Sequence, residues 1–142
     1  MAASRPGRLA VVLHTHMPYV EGYGTWPFGE EWLWEAMATS YLPLLDVLDR
    51  APELTFSVTP VLADQLAAPG IAERFLAFLR DVRTETHRRD VAAAASPDVA
   101  AALSRSARDY AWAAARFEAL GGDLLTPLMA HAAWTSSATH AV

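Results

Sequence analysis

Apolar residues follow two rhythms along this chain. Leu9 to Leu13 is a continuous, β-branched apolar run closed by polar residues and Pro18, the pattern of a strand buried on both faces of a parallel sheet. Gly22, Gly24, Pro27 and Gly29 crowd the stretch from Val20 to Gly29 and predict a loop. From Glu30 the spacing changes. Leu33, Met37, Tyr41, Leu44 and Leu48 recur at threes and fours, which predicts one apolar face of a helix that Pro43 kinks or divides. Leu54 to Val58 alternates apolar and polar before Thr59 and Pro60, a second short strand with a turn. Strand, helix, strand with so long a connection predicts a right-handed βαβ unit in a parallel α/β sheet or barrel.

Helical signal dominates the chain beyond Pro60. Ile71 to Arg83 predicts a helix with Ile71, Phe75, Phe78 and Val82 on one face. Val99 to Leu120 predicts another, with Leu103, Ala107, Tyr110, Ala114 and Phe117 inward, Ser96 and Pro97 as cap and first turn, and Gly121 and Gly122 as the stop. Leu124 to Ala133 fits neither period, and Trp134 to Thr139 reads as a third strand.

The chain has 142 residues, 53% of them hydrophobic and 19% charged, which suits a single packed domain and not a disordered one. Alanines between Val91 and Ala115 favour helix while adding little apolar area. The net charge of -5, with arginines scattered among the helices, argues against nucleic acid as a partner. The chain has no cysteine, which excludes disulfides, thiolate metal sites and thiol nucleophiles. The short basic start, Met1 to Arg8, and the apolar run broken at His14 are too short for a signal peptide or a membrane span, so a cytoplasmic protein with no membrane partner is expected.

Candidate chemistry concentrates at the end of the first strand, in His14-Thr15-His16-Met17-Pro18. Ligands of parallel α/β folds collect at carboxyl ends of strands, and histidines at i and i+2 share a face of extended chain. Such a pair suits either hydrogen bonding to sugar hydroxyls or ligation of a divalent metal. Tyr19, Tyr23, Trp26, Phe28, Trp32 and Trp34 come close behind within a short span. Sugar rings stack their C–H faces on aromatics, and Trp26, between Gly24 and Pro27, is the best stacking platform, whereas Trp34 suits packing.

Glu30, Glu31 and Glu35 do not read as the carboxylate pair of glycoside hydrolysis, because acidic residues in a first helical turn complement the helix dipole. Ser136, Ser137, Thr139 and His140 lack a Gly-x-Ser-x-Gly turn. His87 and Arg88 are expected to be solvated.

Three spaced stretches carry a family resemblance: Leu13-His14-Thr15-His16-Met17-Pro18-Tyr19-Val20, Trp26-Pro27-Phe28-Gly29-Glu30-Glu31-Trp32-Leu33-Trp34-Glu35-Ala36, and Tyr41-Leu42-Pro43-Leu44-Leu45. Together they resemble the opening of the branching enzymes of glycoside hydrolase family 57. Thr59-Pro60-Val61-Leu62-Ala63-Asp64-Gln65-Leu66 resembles the segment after that family's second strand, and Ala138-Thr139-His140-Ala141 the start of its Ala-Thr-His motif. The likeness is weakest between Arg83 and Ala133.

It implies that residues 1–142 form the amino-terminal part of a (β/α)7 TIM-like catalytic barrel, with its first two or three parallel strands and their helices. It also implies a retaining mechanism that cuts an α-1,4 linkage and passes the glycosyl unit to a 6-hydroxyl, with no metal and no cofactor. His14 and His16 map onto the donor-sugar subsite and Trp26 onto an aromatic contact near the cleft. Tyr19 and His140 complete the expected substrate-binding set for an α-1,4-glucan or maltooligosaccharide.

The family's catalytic Glu and Asp lie on later strands and have no counterpart here, so no residue is assigned a catalytic role. The acidic segment that usually precedes the Ala-Thr-His motif is replaced by Met129-Ala130-His131-Ala132-Ala133-Trp134-Thr135, and the motif stops at Val142. A truncated or frame-interrupted product, inactive alone and prone to self-association, is therefore expected, with its oligomeric state open. Two alternatives are a metal-dependent hydrolase using His14 and His16, with His131 or His140, and a noncatalytic carbohydrate-binding module.

Overall fold

The computed structural model describes residues 11–24, 29–50 and 54–132. Strand β1 (Val12–Thr15) and strand β2 (Thr55–Val58) pair in parallel, with Val12 opposite Thr55 and Thr15 opposite Val58. The expected βαβ unit is therefore present, and the fold is α/β. Between the strands run helix α1 (Glu31–Ala36), a π-helical turn over Met37–Tyr41, and helix α2 (Leu42–Leu48). Pro43 sits in the first turn of α2. It has no N–H for the carbonyl of Thr39 and its ring crowds that oxygen, so the winding widens just upstream instead of breaking. The division expected at Pro43 appears in this form.

β1 begins at Val12, with Leu9 and Ala10 outside the described residues, and takes in His14 and Thr15. It is not buried on both faces. Val12 is 64% exposed and Leu13 is exposed too. Apolar composition reports what a strand can bury, but burial needs a layer on each side, and among the described residues β1 has one strand neighbour, β2.

Helix α3 (Pro60–Leu66) opens on Thr59, whose hydroxyl accepts from the Leu62 amide at 3.3 Å. Helix α4 (Ile71–Ala77), a π-helical stretch over Phe78–Arg83, and helix α5 (Thr84–Ala92) then run on without a break. Ile71, Phe75 and Phe78 face inward as expected, but Val82 is 50% exposed and Leu79 is buried instead. A residue added to a helical turn rotates everything after it by about 100°, so the π stretch moves Val82 off the apolar face.

Helix α6 (Pro97–Ala119) has the expected Ser96 cap and buries Tyr110, Ala113, Ala114 and Phe117. It ends where Gly121 and Gly122, at φ +71° and +78°, return their amides to the carbonyls of Glu118 and Phe117. The stretch with neither period forms helix α7 (Leu125–His131). The third strand expected at Trp134 to Thr139 lies outside the described residues.

His87 corrects the sequence reading. The helix continues past Arg83, α5 packs on α6, and His87 is only 5% exposed. Its Nδ1 lies 2.8 Å from the Arg83 carbonyl oxygen and its Nε2 3.1 Å from Ser106 Oγ. Arg88 is exposed, as expected, and grips Glu85 with two N–H groups at 2.7 and 2.8 Å. Among the described residues no helix is long and apolar enough to cross a membrane.

The largest fully buried side chains include Phe56 from β2, Phe75 from α4, Phe117 from α6 and Leu33 from α1, so the core lies between the sheet and the helices. Glu35 of α1, Arg83 and Tyr110 of α6 clamp the crossover helix to this layer. The Tyr110 hydroxyl donates to the Glu35 carboxylate, Arg83 Nη1 approaches the same carboxylate at 3.3 Å, and the guanidinium lies 4.4 Å from the Tyr110 ring centroid.

Burial first, and then the hydrogen bond to Glu35 and its charge, push the Tyr110 phenol up to about 12 from its ordinary 10.0. The folded chain therefore holds this proton more tightly than the unfolded one. The stability it contributes is complete below pH 10 and is lost as the pH rises to 12. Denaturation midpoints measured across that window should fall steeply for the natural chain. They should fall less for Tyr110→Phe, which carries no proton to lose at that position, and equal slopes would dismiss the assignment.

Candidate functional site

Alternation along β1 turns His14 and His16 to one face and Thr15 to the other. The two imidazoles lie nearly parallel, 6.1 Å apart between centroids and 15° between planes, and both are exposed. They open onto a cleft of about 410 Å³ between β1 and the crossover helix, also lined by Leu13, Met17, Ser40 and Tyr41. His14 and His16 therefore do share one site, as their spacing predicts.

Each wall is held by identifiable bonds. His14 Nδ1 lies 2.7 Å from Oγ of Ser57, its partner across the parallel ladder, and the Thr15 hydroxyl donates to the Ser57 carbonyl. Tyr41, from the π-helical turn, directs its hydroxyl at the His16 carbonyl at 3.4 Å, and burial raises its pKa above the usual tyrosine value. Ser40 comes from the same turn. Its position in the cleft wall depends on the widened winding before Pro43.

The loop after His16 is fastened by one residue, Gln65 of α3. It is fully buried and uses both ends of its amide. Its Oε1 accepts from the amides of Val20 at 2.6 Å and Glu21 at 3.2 Å, while its Nε2 donates to the carbonyls of Pro18 at 3.0 Å and Val61 at 3.2 Å. Sequence reasoning assigned no part in the site to Gln65, Ser57, Ser40 or Tyr41, placing Tyr41 only on the apolar face of a helix. The one available signal was Gln65, a polar residue on the inner side of a short helix between Leu62 and Leu66.

Other expected site residues fall elsewhere. Tyr19 is exposed, hydrogen bonds to Glu21 at 3.0 Å, and does not line the cleft. Trp26 and His140 lie outside the described residues. Trp34 is buried against Phe78, with ring centroids 5.1 Å apart, which bears out a packing role. Glu30 is buried and paired with Arg74 at 3.0 Å, and Glu35 belongs to the Tyr110 clamp, so neither carboxylate lines the cleft. His131 pairs with Asp49, at the carboxyl end of α2, at 3.2 Å and is not part of the His14–His16 site. Among the described residues no three His, Asp or Glu side chains gather as a metal site.

No protein-family model matches the chain. Over 79 residues, 51% of the chain, it is 43% identical to a 1,4-alpha-glucan branching enzyme of Thermococcus kodakarensis. Over 74 residues it is 45% identical to a protein of Mycobacterium tuberculosis named as a probable 1,4-alpha-glucan branching enzyme. These matches cover 12% and 14% of the two relatives, so the chain spans a small part of their length.

Among solved structures, the GH57-type branching enzyme of Pyrococcus horikoshii superposes with a TM-score of 0.76 at 35% identity, over 86% of this chain and 24% of that one. The α-amylase AmyC of Thermotoga maritima superposes with a TM-score of 0.71 at 25% identity, over the same shares. In sequence and in fold alike, this chain resembles the branching enzymes of glycoside hydrolase family 57.

Proposed function

We propose that the chain forms an α-1,4-glucan-binding part of a retaining branching enzyme of glycoside hydrolase family 57, and that its sheet is the beginning of a (β/α)7 barrel. The observation that carries this reading is the pair of parallel imidazoles on one face at the carboxyl end of β1, open to a cleft, in a chain with branching-enzyme relatives. Imidazole N–H groups and ring nitrogens meet sugar hydroxyls as donors and acceptors. Trp26 supplies the stacking ring in this reading.

Cleavage of the linkage with retention needs two carboxyl groups about 5 Å apart across the bond. Glu30 and Glu35 are held by Arg74 and by Arg83 with Tyr110, so binding without bond cleavage is the activity proposed for the isolated chain.

Titration calorimetry with maltoheptaose tests the proposal. Saturable binding is expected, weakened about tenfold or more in His14→Ala and in Trp26→Ala, since each removes a direct contact of about 1.4 kcal/mol or more. No binding to a folded sample would sink the glucan reading. New α-1,6 linkages formed from amylose by the chain alone would sink the claim that it binds without cleaving.

A further inference from the structure

We infer that Ser57 is a positioning residue that fixes the neutral His14 imidazole with its proton on Nε2, so that the cleft presents an N–H donor to an oxygen of the bound glucan. Parallel pairing places Ser57 beside His14, 43 residues apart in sequence, with Oγ 2.7 Å from Nδ1. Ser57 is 1% exposed, so its hydroxyl is shielded from bulk water. Among the described residues its hydroxyl has one hydrogen-bond partner, His14 Nδ1.

A buried hydroxyl left without an acceptor is costly, and a neutral imidazole has one nitrogen that accepts and one that donates. The two requirements are met together when Ser57 Oγ–H donates to Nδ1. The proton of His14 is then on Nε2, the nitrogen on the far side of the ring from Ser57. The opposite tautomer would aim Nδ1–H at Ser57 and strand the hydroxyl proton in the sheet. The Ser57 carbonyl meanwhile accepts from the Thr15 hydroxyl, which holds the two strands in the register this bond needs.

The consequence is a chemical preference. A donor at Nε2 recognises a lone pair, on a hydroxyl, ring or bridging oxygen of the sugar, and a site of this kind discriminates against a ligand that offers only a proton there. The inference rests on the glucan-binding reading for its ligand, but not for its tautomer.

Imidazole nitrogen NMR of the uniformly labelled full chain at about pH 8.5, two units above the ordinary histidine pKa of about 6.5, reads the tautomer directly. His14 is assigned by comparison with His14→Asn. The expected result is a single tautomer with Nδ1 unprotonated, a mixture of both tautomers in Ser57→Ala, and recovery of the single form in Ser57→Thr. Maltoheptaose affinity should fall about fivefold in Ser57→Ala and return in Ser57→Thr.

A proton on Nδ1 in the natural chain overturns the inference, and so does an unchanged tautomer in Ser57→Ala. The natural-chain spectrum decides the matter even if Ser57→Ala does not fold. Failure of the natural chain to bind maltoheptaose, with the Nε2–H tautomer intact, would instead reject the glucan reading.

Discussion

Replacing Phe117 with alanine should lower the unfolding free energy by about 3–5 kcal/mol. Phe117 is buried at the last turns of α6 and meets Phe75 of α4 edge to face, with centroids 4.9 Å apart. Removing the ring takes away its transfer free energy and this aromatic pairing, and leaves a void that the neighbours fill poorly. The reason lies in the backbone. The amide of Gly122 bonds to the Phe117 carbonyl at 3.0 Å and that of Gly121 to Glu118 at 2.9 Å, so the end of α6 is tied where it stands.

Since domains of this size are stable by only about 5–15 kcal/mol, Phe117→Ala should remove a large share of the chain's stability. Phe117→Leu should cost about 1.5 kcal/mol. Urea denaturation of both variants checks the pair, and a loss below about 1 kcal/mol for the alanine would show that α6 does not seal the core.

Gln65→Leu should cost about 2–4 kcal/mol although it adds apolar surface to a buried position, because the leucine leaves the Val20 amide and the Pro18 carbonyl without the partners they have at 2.6 and 3.0 Å. The size of the effect reflects the number of backbone groups that one amide satisfies. Its second consequence is local. The segment from Pro18 to Glu21 continues directly from His16, so its loss of anchorage should speed hydrogen exchange at Val20 and Glu21 and weaken maltoheptaose binding. Amide exchange monitored by mass spectrometry separates this from global unfolding, since α6 should stay protected at low denaturant. If exchange at Val20 stays slow in Gln65→Leu, the loop is held by something other than this amide.

Local chemistry made much of the architecture readable in advance. The Ser96 cap and the Gly121-Gly122 stop are signals written in adjacent residues, and each stands where it was expected, whereas Thr59-Pro60, expected as a turn, is the cap and first residue of α3. The i, i+2 spacing of His14 and His16 was equally legible, because the pleat of an extended segment alone puts both on one face. Periodicity failed where the winding changed. Val82 keeps helical spacing with Phe78 and Ile71 on paper, but the π stretch over Phe78–Arg83 carries it out to solvent. His87 looked solvated because it stands among charged neighbours, and it is buried because α5 lies against α6.

By itself, then, the sequence determined the order of strand and helix, the caps, the shared face of the two histidines and the resemblance to family 57 branching enzymes. These depend on interactions between residues near in sequence, or on motifs that survive as strings. Tertiary structure alone decided which side chains complete the site. Ser57 meets His14 from 43 positions away through strand register, Gln65 fastens the loop from 44 and 45 positions away, and Tyr41 enters through a widened helical turn. Tertiary structure also decided that Glu30 and Glu35 are held by arginines and lie outside the cleft. Such contacts are set by packing, which brings distant residues together without leaving a periodic trace in the chain.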